Sequence, residues 1–153
     1  MSDFRILIVE SRAHDEIADY LVKGAIQELA TVGAGFKRLI VPSILEIPAV
    51  IRFTLRSMEM RSTDERYAGY IALGCAIRGE TDYYEHVARE ATRGLQDLVL
   101  QYSLAVGNGI LTVHNRQQAM ERCVPERRNF GGQAAKACLR MIEIKRELGL
   151  TPK

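Results

Sequence analysis

The chain has 153 residues, 47% hydrophobic and 26% charged, with a formal net charge of +2. That balance describes a single globular domain over residues 1–153, with a core that needs no disulfide or metal staples, and it excludes a disordered or fibrous chain. A charge this small and evenly spread argues against nucleic acid or a membrane surface as partner, and no apolar stretch is long enough to span a bilayer.

Phe4 to Val9 is a near-continuous apolar run, as in a strand buried on both faces. It ends in Glu10-Ser11-Arg12, and a helix follows from His14 or Asp15 with Ile17, Tyr20, Leu21, Ala25 and Leu29 at helical spacing. Gly33-Ala34-Gly35 breaks that helix, and Phe36 to Val41 is a second strand stopped by Pro42. Pro48 stands where the first turn of a helix tolerates proline, and that helix runs over Ala49 to Met60. After a polar connection, Tyr70 to Leu73 is a third strand, expected to end at Gly74. A turn, Cys75 to Gly79, then opens a helix at Thr81 or Asp82. The body of that helix, Tyr84 to Tyr102, has Val87, Leu95, Leu98 and Val99 on its apolar side. Ala105 to Val113 is a fourth strand, in which Gly107 and Gly109 permit close backbone approach. A short helix from Asn115 through Arg122 is ended by Pro125, and a turn-rich piece, Arg127 to Gly132, leads into a last helix reaching Leu148. Strands alternating with helices specify an α/β fold, a parallel sheet with helices on both faces.

The three cysteines, Cys75, Cys123 and Cys138, are an odd set without CxxC spacing, and the N-terminus lacks the apolar segment of a secretory signal. A reducing, cytoplasmic setting is expected. His14, His86 and His114 are not spaced as metal ligands, so no metal is expected. The stretch Tyr67 to Gly94 has the form of strand, glycine-flanked turn and helix start. Orphan amides and the positive end of the helix dipole make such a turn an anion site, and it lies where open parallel sheets bind ligands. An ordinary βα loop has the same outline. Cys75 has no neighbour in sequence that would activate it and reads as a packing residue. GxxxxGK[ST] and GxGxxG are both missing, and the first strand ends in Glu10 alone, without the acidic cluster of a phospho-acceptor module.

Several blocks together carry a resemblance: Leu21-Val22-x-Gly24-Ala25, Val41-Pro42…Glu46-Ile47-Pro48, Ala72-Leu73-Gly74-Cys75-Ala76-Ile77-Arg78-Gly79-Glu80-Thr81, Gly107-Asn108-Gly109-Ile110-Leu111-Thr112, Gln118-Ala119-Met120-Glu121-Arg122 and Gly131-x-x-Ala134-Ala135. The chain resembles the 6,7-dimethyl-8-ribityllumazine synthases of riboflavin biosynthesis over essentially its full length. The resemblance implies a three-layer αβα sandwich of flavodoxin-like topology with a four-stranded parallel sheet. It also implies a homo-oligomer built on pentamers, with active sites between subunits. The implied reaction condenses 5-amino-6-(D-ribitylamino)uracil with 3,4-dihydroxy-2-butanone 4-phosphate, releasing phosphate and water, with no cofactor. Glu80 and Thr81 are implied at the phosphate, with Arg122 of a neighbouring subunit as its cationic partner. Ile44, Leu45, Glu46, Cys75, Ala76 and Ile77 would hold the ribityl chain and pyrimidine, with Asn108 from an adjacent subunit. Only three residues precede the first strand, so the N-terminal extension that pairs with a neighbour's sheet is expected to be absent.

Departures cluster in the site. The family's proton-transferring histidine aligns with Tyr83, and the acidic residue that orients it aligns with Gln133. The stacking aromatic after the first strand is Ala13, a second aromatic is Leu45, and the lysine of the asparagine-lysine-glycine turn is Phe130. A synthase working largely by positioning fits the retained Ile77-to-Thr81 turn and Arg122. A weak or silent relative, binding a lumazine or flavin or acting as an oligomeric scaffold, fits the losses. His86 is expected as a surface or packing residue. His14 either faces the pocket or simply starts the first helix.

Overall fold

A computed structural model describes residues 4–150; the reading of the segment ahead of the first strand lies outside the described residues. Four strands, β1 (Arg5–Ser11), β2 (Gly35–Val41), β3 (Gly69–Ile77) and β4 (Val106–Val113), form one sheet in the order β2-β1-β3-β4. Every pairing is parallel, with Ile8 beside Ile71 and Ile71 beside Gly107. The helices are α1 (Asp15–Ala30), α2 (Ile47–Glu59), α3 (Tyr83–Tyr102), α4 (Arg116–Cys123) and α5 (Phe130–Glu147), with a 3-10 turn over Ile44–Glu46 ahead of α2. This is the expected three-layer αβα sandwich of flavodoxin-like topology.

The alternation of side chains along each strand builds two cores. Ile6 and Ile8 of β1 and Ile71 and Leu73 of β3 pack with Leu21, Ala25, Ala135 and Ile142 of α1 and α5. Leu7, Val9, Tyr70 and Ala72 point the other way, onto Ile47, Ile51, Ala88, Ala91 and Leu95 of α2 and α3. Both faces of β1 and β3 are thus covered, which explains their unbroken apolar runs. On α3 the buried stripe is Tyr84, Ala88, Ala91 and Leu95; Val87 and Leu98 pack at its margin.

Boundaries at β3, α3 and α5 differ from the sequence reading, and α2 starts at Ile47, two residues before Ala49. β3 does not stop at Gly74 but stays paired with β4 to Ile77–Val113. A Cβ at position 74 would lie 2.5 Å from Ile44 Cγ2, so this glycine admits the 3-10 turn onto the strand and breaks nothing. The turn is accordingly Arg78 to Asp82, and α3 begins at Tyr83, not at Thr81 or Asp82. α5 begins at Phe130, with Gly131 and Gly132 in its first turn and the Asn129 side chain accepting from the Gly132 amide at 3.2 Å. A Cβ on Gly131 would sit 2.0 Å from the Leu21 carbonyl oxygen, so glycine here lets α5 lie against α1.

Candidate active site

β1 connects outward to β2 on one side while β3 connects to β4 on the other, so the strand order reverses between β1 and β3. The crevice beyond the carboxyl ends of strands at such a switch point is where this architecture takes ligands. A cavity of about 170 Å³ lies there, lined by Ser11, Ala13, His14, Ser43, Ile44, Cys75, Ala76, Ile77, Tyr83, Tyr84 and Val87. The end of β1, the 3-10 turn, the end of β3 and the first turn of α3 each supply part of its wall.

Of the residues expected at the site, Ala13, Ile44, Cys75, Ala76, Ile77 and Tyr83 line this cavity. His14 lines it as well while standing at the N-cap of α1, so the two placements open to it coincide. Ser11, Ser43, Tyr84 and Val87 complete the wall. Ser43 carried a legible signal, since Ser43 and Glu46 have the S-x-x-E spacing of a capping box. The structure forms that box: Glu46 Oε1 accepts from the Ser43 amide at 2.9 Å and hydroxyl at 2.7 Å. Leu45 and Glu46 flank the cavity without lining it.

The Arg78-to-Asp82 turn is exposed. Thr81 Oγ1 accepts from the Tyr83 amide at 3.3 Å, and Asp82 stands at the N-cap of α3 without a side-chain cap. Glu80 and Thr81 therefore sit on the loop beside the α3 N-terminus, not within the helix. Arg122 lies elsewhere, on α4, donating to the Gln118 carbonyl at 3.0 Å beside Asn115 and Glu121. Asn108, on β4, accepts from the Ile110 amide at 3.0 Å and borders a separate hollow with Leu95, Val99 and Met141. Neither reaches the cavity of its own chain. Cys75 is buried, as a packing residue would be, and burial pushes its thiol up to about 12. Among the described residues, no three His, Cys, Asp or Glu side chains gather as metal ligands would.

Behind the cavity wall lies a feature that sequence reasoning missed. Glu10 is fully buried and accepts from Arg12 Nη1 at 2.8 Å, from Arg38 Nε at 2.7 Å and from Arg38 Nη2 at 2.9 Å. Arg12 also binds Asp15 at 3.0 Å and Asp19 on α1. This clamp fixes the connection that carries Ala13 and His14 to the cavity.

The sequence matches the family model of 6,7-dimethyl-8-ribityllumazine synthase over residues 3–146. The chain belongs to the lumazine synthase family. It is 51% identical over 147 residues to the 6,7-dimethyl-8-ribityllumazine synthase of Paramagnetospirillum magneticum, covering 96% of this chain and 98% of that relative. The enzymes of the same name from Afipia carboxidovorans and Bartonella tribocorum are 47% and 46% identical, each across 94% of this chain and covering 87% and 91% of those relatives.

Two of the positions at which this lumazine synthase family member departs from the expected pattern have structural employment here. Phe130 packs against the core with the Arg128 guanidinium 5.3 Å from its ring centroid. Gln133 donates through Nε2 to the Arg128 carbonyl, tying α5 to the loop before it. Tyr83, by contrast, is 71% exposed at the cavity.

Proposed function

We propose that this protein is a transferase condensing 5-amino-6-(D-ribitylamino)uracil with 3,4-dihydroxy-2-butanone 4-phosphate to 6,7-dimethyl-8-ribityllumazine, releasing phosphate, in riboflavin biosynthesis. The observation that carries the reading is membership of the lumazine synthase family across nearly the whole chain. The cavity at the switch point of the sheet supports it. A weak or silent binding relative is not favoured, since the relatives carry the synthase name.

In this reading the pyrimidine and ribityl chain lie against Ala13, Ile44, Cys75, Ala76 and Ile77, with Leu45 and the second carboxylate oxygen of Glu46 at the edge. The butanone phosphate sits on the turn carrying Glu80 and Thr81, where exposed amides at the start of α3 favour an anion. Arg122 and Asn108 reach the site from neighbouring subunits of a pentamer. Exposed apolar side chains, Leu45 at 43%, Tyr83 at 71%, Ile40 at 64% and Phe53 at 66%, support a covering subunit. The joining of an amine to a ketone needs neither metal nor organic cofactor, and holding the two together is worth up to roughly 7–11 kcal/mol. The compartment is cytoplasmic in this reading; among the described residues no helix is long and apolar enough to cross a membrane.

Purified protein given both substrates is expected to form lumazine, followed by absorbance, faster than the uncatalysed mixture. Arg122→Ala should raise KM for the butanone phosphate roughly 10- to 100-fold, the worth of a lost charge-assisted contact, and spare KM for the uracil. A wild-type rate equal to the uncatalysed one overturns the reading.

A further inference from the structure

Position 83, where the resemblance expects a proton-transferring histidine, is a tyrosine, yet the cavity is not without an imidazole. His14 lines it from the β1–α1 connection. His14 is the N-cap of α1, but its carbonyl starts the helix, accepting from the Ala18 amide at 2.9 Å, and its side chain caps nothing. The half-buried ring makes no hydrogen bond or ion pair among the described residues. It is held in place through its backbone, between Arg12 and Asp15, which are bonded to one another.

The titratable and charged groups around His14 come from every wall. Its own connection supplies Arg12 and Asp15, β3 supplies Cys75, and α3 supplies Tyr83 and Tyr84, with Glu85 bonded to Tyr84. The 3-10 turn supplies Glu46, engaged by Ser43. Burial pushes the Cys75 thiol up to about 12, and burial and Glu85 push the Tyr84 phenol upward. Thiols and phenols ordinarily titrate above pH 8, whereas imidazole is the side chain that changes charge between about pH 5 and 8. Among the described residues lining the cavity, His14 is the one imidazole, and its ring nitrogens are engaged by no other side chain.

We infer that His14 is the proton-transfer residue of the condensation in this protein. The inference rests on the synthase reading above. As the uracil's amine nitrogen bonds to the ketone carbon, the carbonyl π pair moves onto oxygen. His14 takes one proton from that nitrogen and returns it to that oxygen. The C–O bond then breaks and the oxygen leaves as water with the second nitrogen-borne proton, as the C=N bond forms. The imidazole ends as it began.

The test compares the pH dependence of kcat/KM for the wild type, His14→Gln, and His14→Gln combined with Tyr83→His. The wild type is expected to show a limb between about pH 5 and 8. His14→Gln should lose that limb and fall roughly 10²-fold or more in kcat, with an unchanged thermal unfolding midpoint because the ring holds nothing. Returning a histidine at position 83 should restore a limb and part of the rate. A His14→Gln enzyme with the wild-type kcat and an intact limb overturns the inference while leaving the synthase reading standing. Absence of wild-type turnover overturns both.

Discussion

The Glu10 clamp offers the sharpest test of how the site is held. Glu10→Gln keeps the side chain's shape but removes the charge that two guanidiniums share at 2.7–2.9 Å. Breaking a buried pair from one side costs about 3–5 kcal/mol. Here the partners are not fully buried: the Arg12 and Arg38 side chains are 20% and 40% exposed, so water screens part of the loss. The amide oxygen of Gln also retains an acceptor. A cost of about 2–3 kcal/mol follows, which at this chain length lowers the unfolding midpoint by roughly 5–10 °C. Urea denaturation of both proteins measures the difference, with the slope checked for constancy. In an Arg38→Met background the same change should cost less, because one stranded cation has already gone. A difference below about 0.5 kcal/mol, the range of an ordinary surface substitution, would refute the picture of a buried, mutually dependent clamp.

Two further perturbations probe the packing. Gly131→Ala forces a Cβ to within 2.0 Å of the Leu21 carbonyl, and backbone has no rotamer with which to yield. Urea midpoints should show a loss of about 1–3 kcal/mol or more; wild-type stability would mean that α1 and α5 are not held this close. All three thiols are buried, and burial pushes Cys75 and Cys138 up to about 12 from an ordinary 9.0. Native protein at pH 8 should therefore react slowly with a disulfide reagent and yield three thiols once unfolded. A folded-state value raised above the unfolded one gives stability that is full below about pH 9 and lost as pH rises towards 12. Chemical denaturation between pH 8 and 11 should show that decline.

Much of the fold is legible in the sequence because each surface of the sheet must be covered. Phe4 to Val9 and Phe36 to Val41 lie within one residue of β1 and β2 at their starts, and the helical spacing of Ile17, Leu21, Ala25 and Leu29 marks the buried face of α1. The larger errors sit at glycines. Gly74 and Gly131 look like breakers when read along the chain, and only the atoms facing them, Ile44 and the Leu21 carbonyl, show that they are sites of close approach. The cavity residues on Ala13, Ile44 and Cys75 to Ile77 were reached through the resemblance, not through periodicity. Glu10 escaped because its partner Arg38 is 28 residues away, on the adjacent strand β2, where no local pattern registers it. The ring of His14 was ambiguous for the opposite reason: a helix start and a pocket wall coincide at that residue.

Phosphate release from the butanone phosphate, followed with purified protein in the presence and absence of the ribitylaminouracil, tests the central claim most directly. The account predicts release that depends on the uracil, exceeds the uncatalysed mixture and keeps pace with lumazine formation. Release no faster than in the protein-free mixture would contradict it.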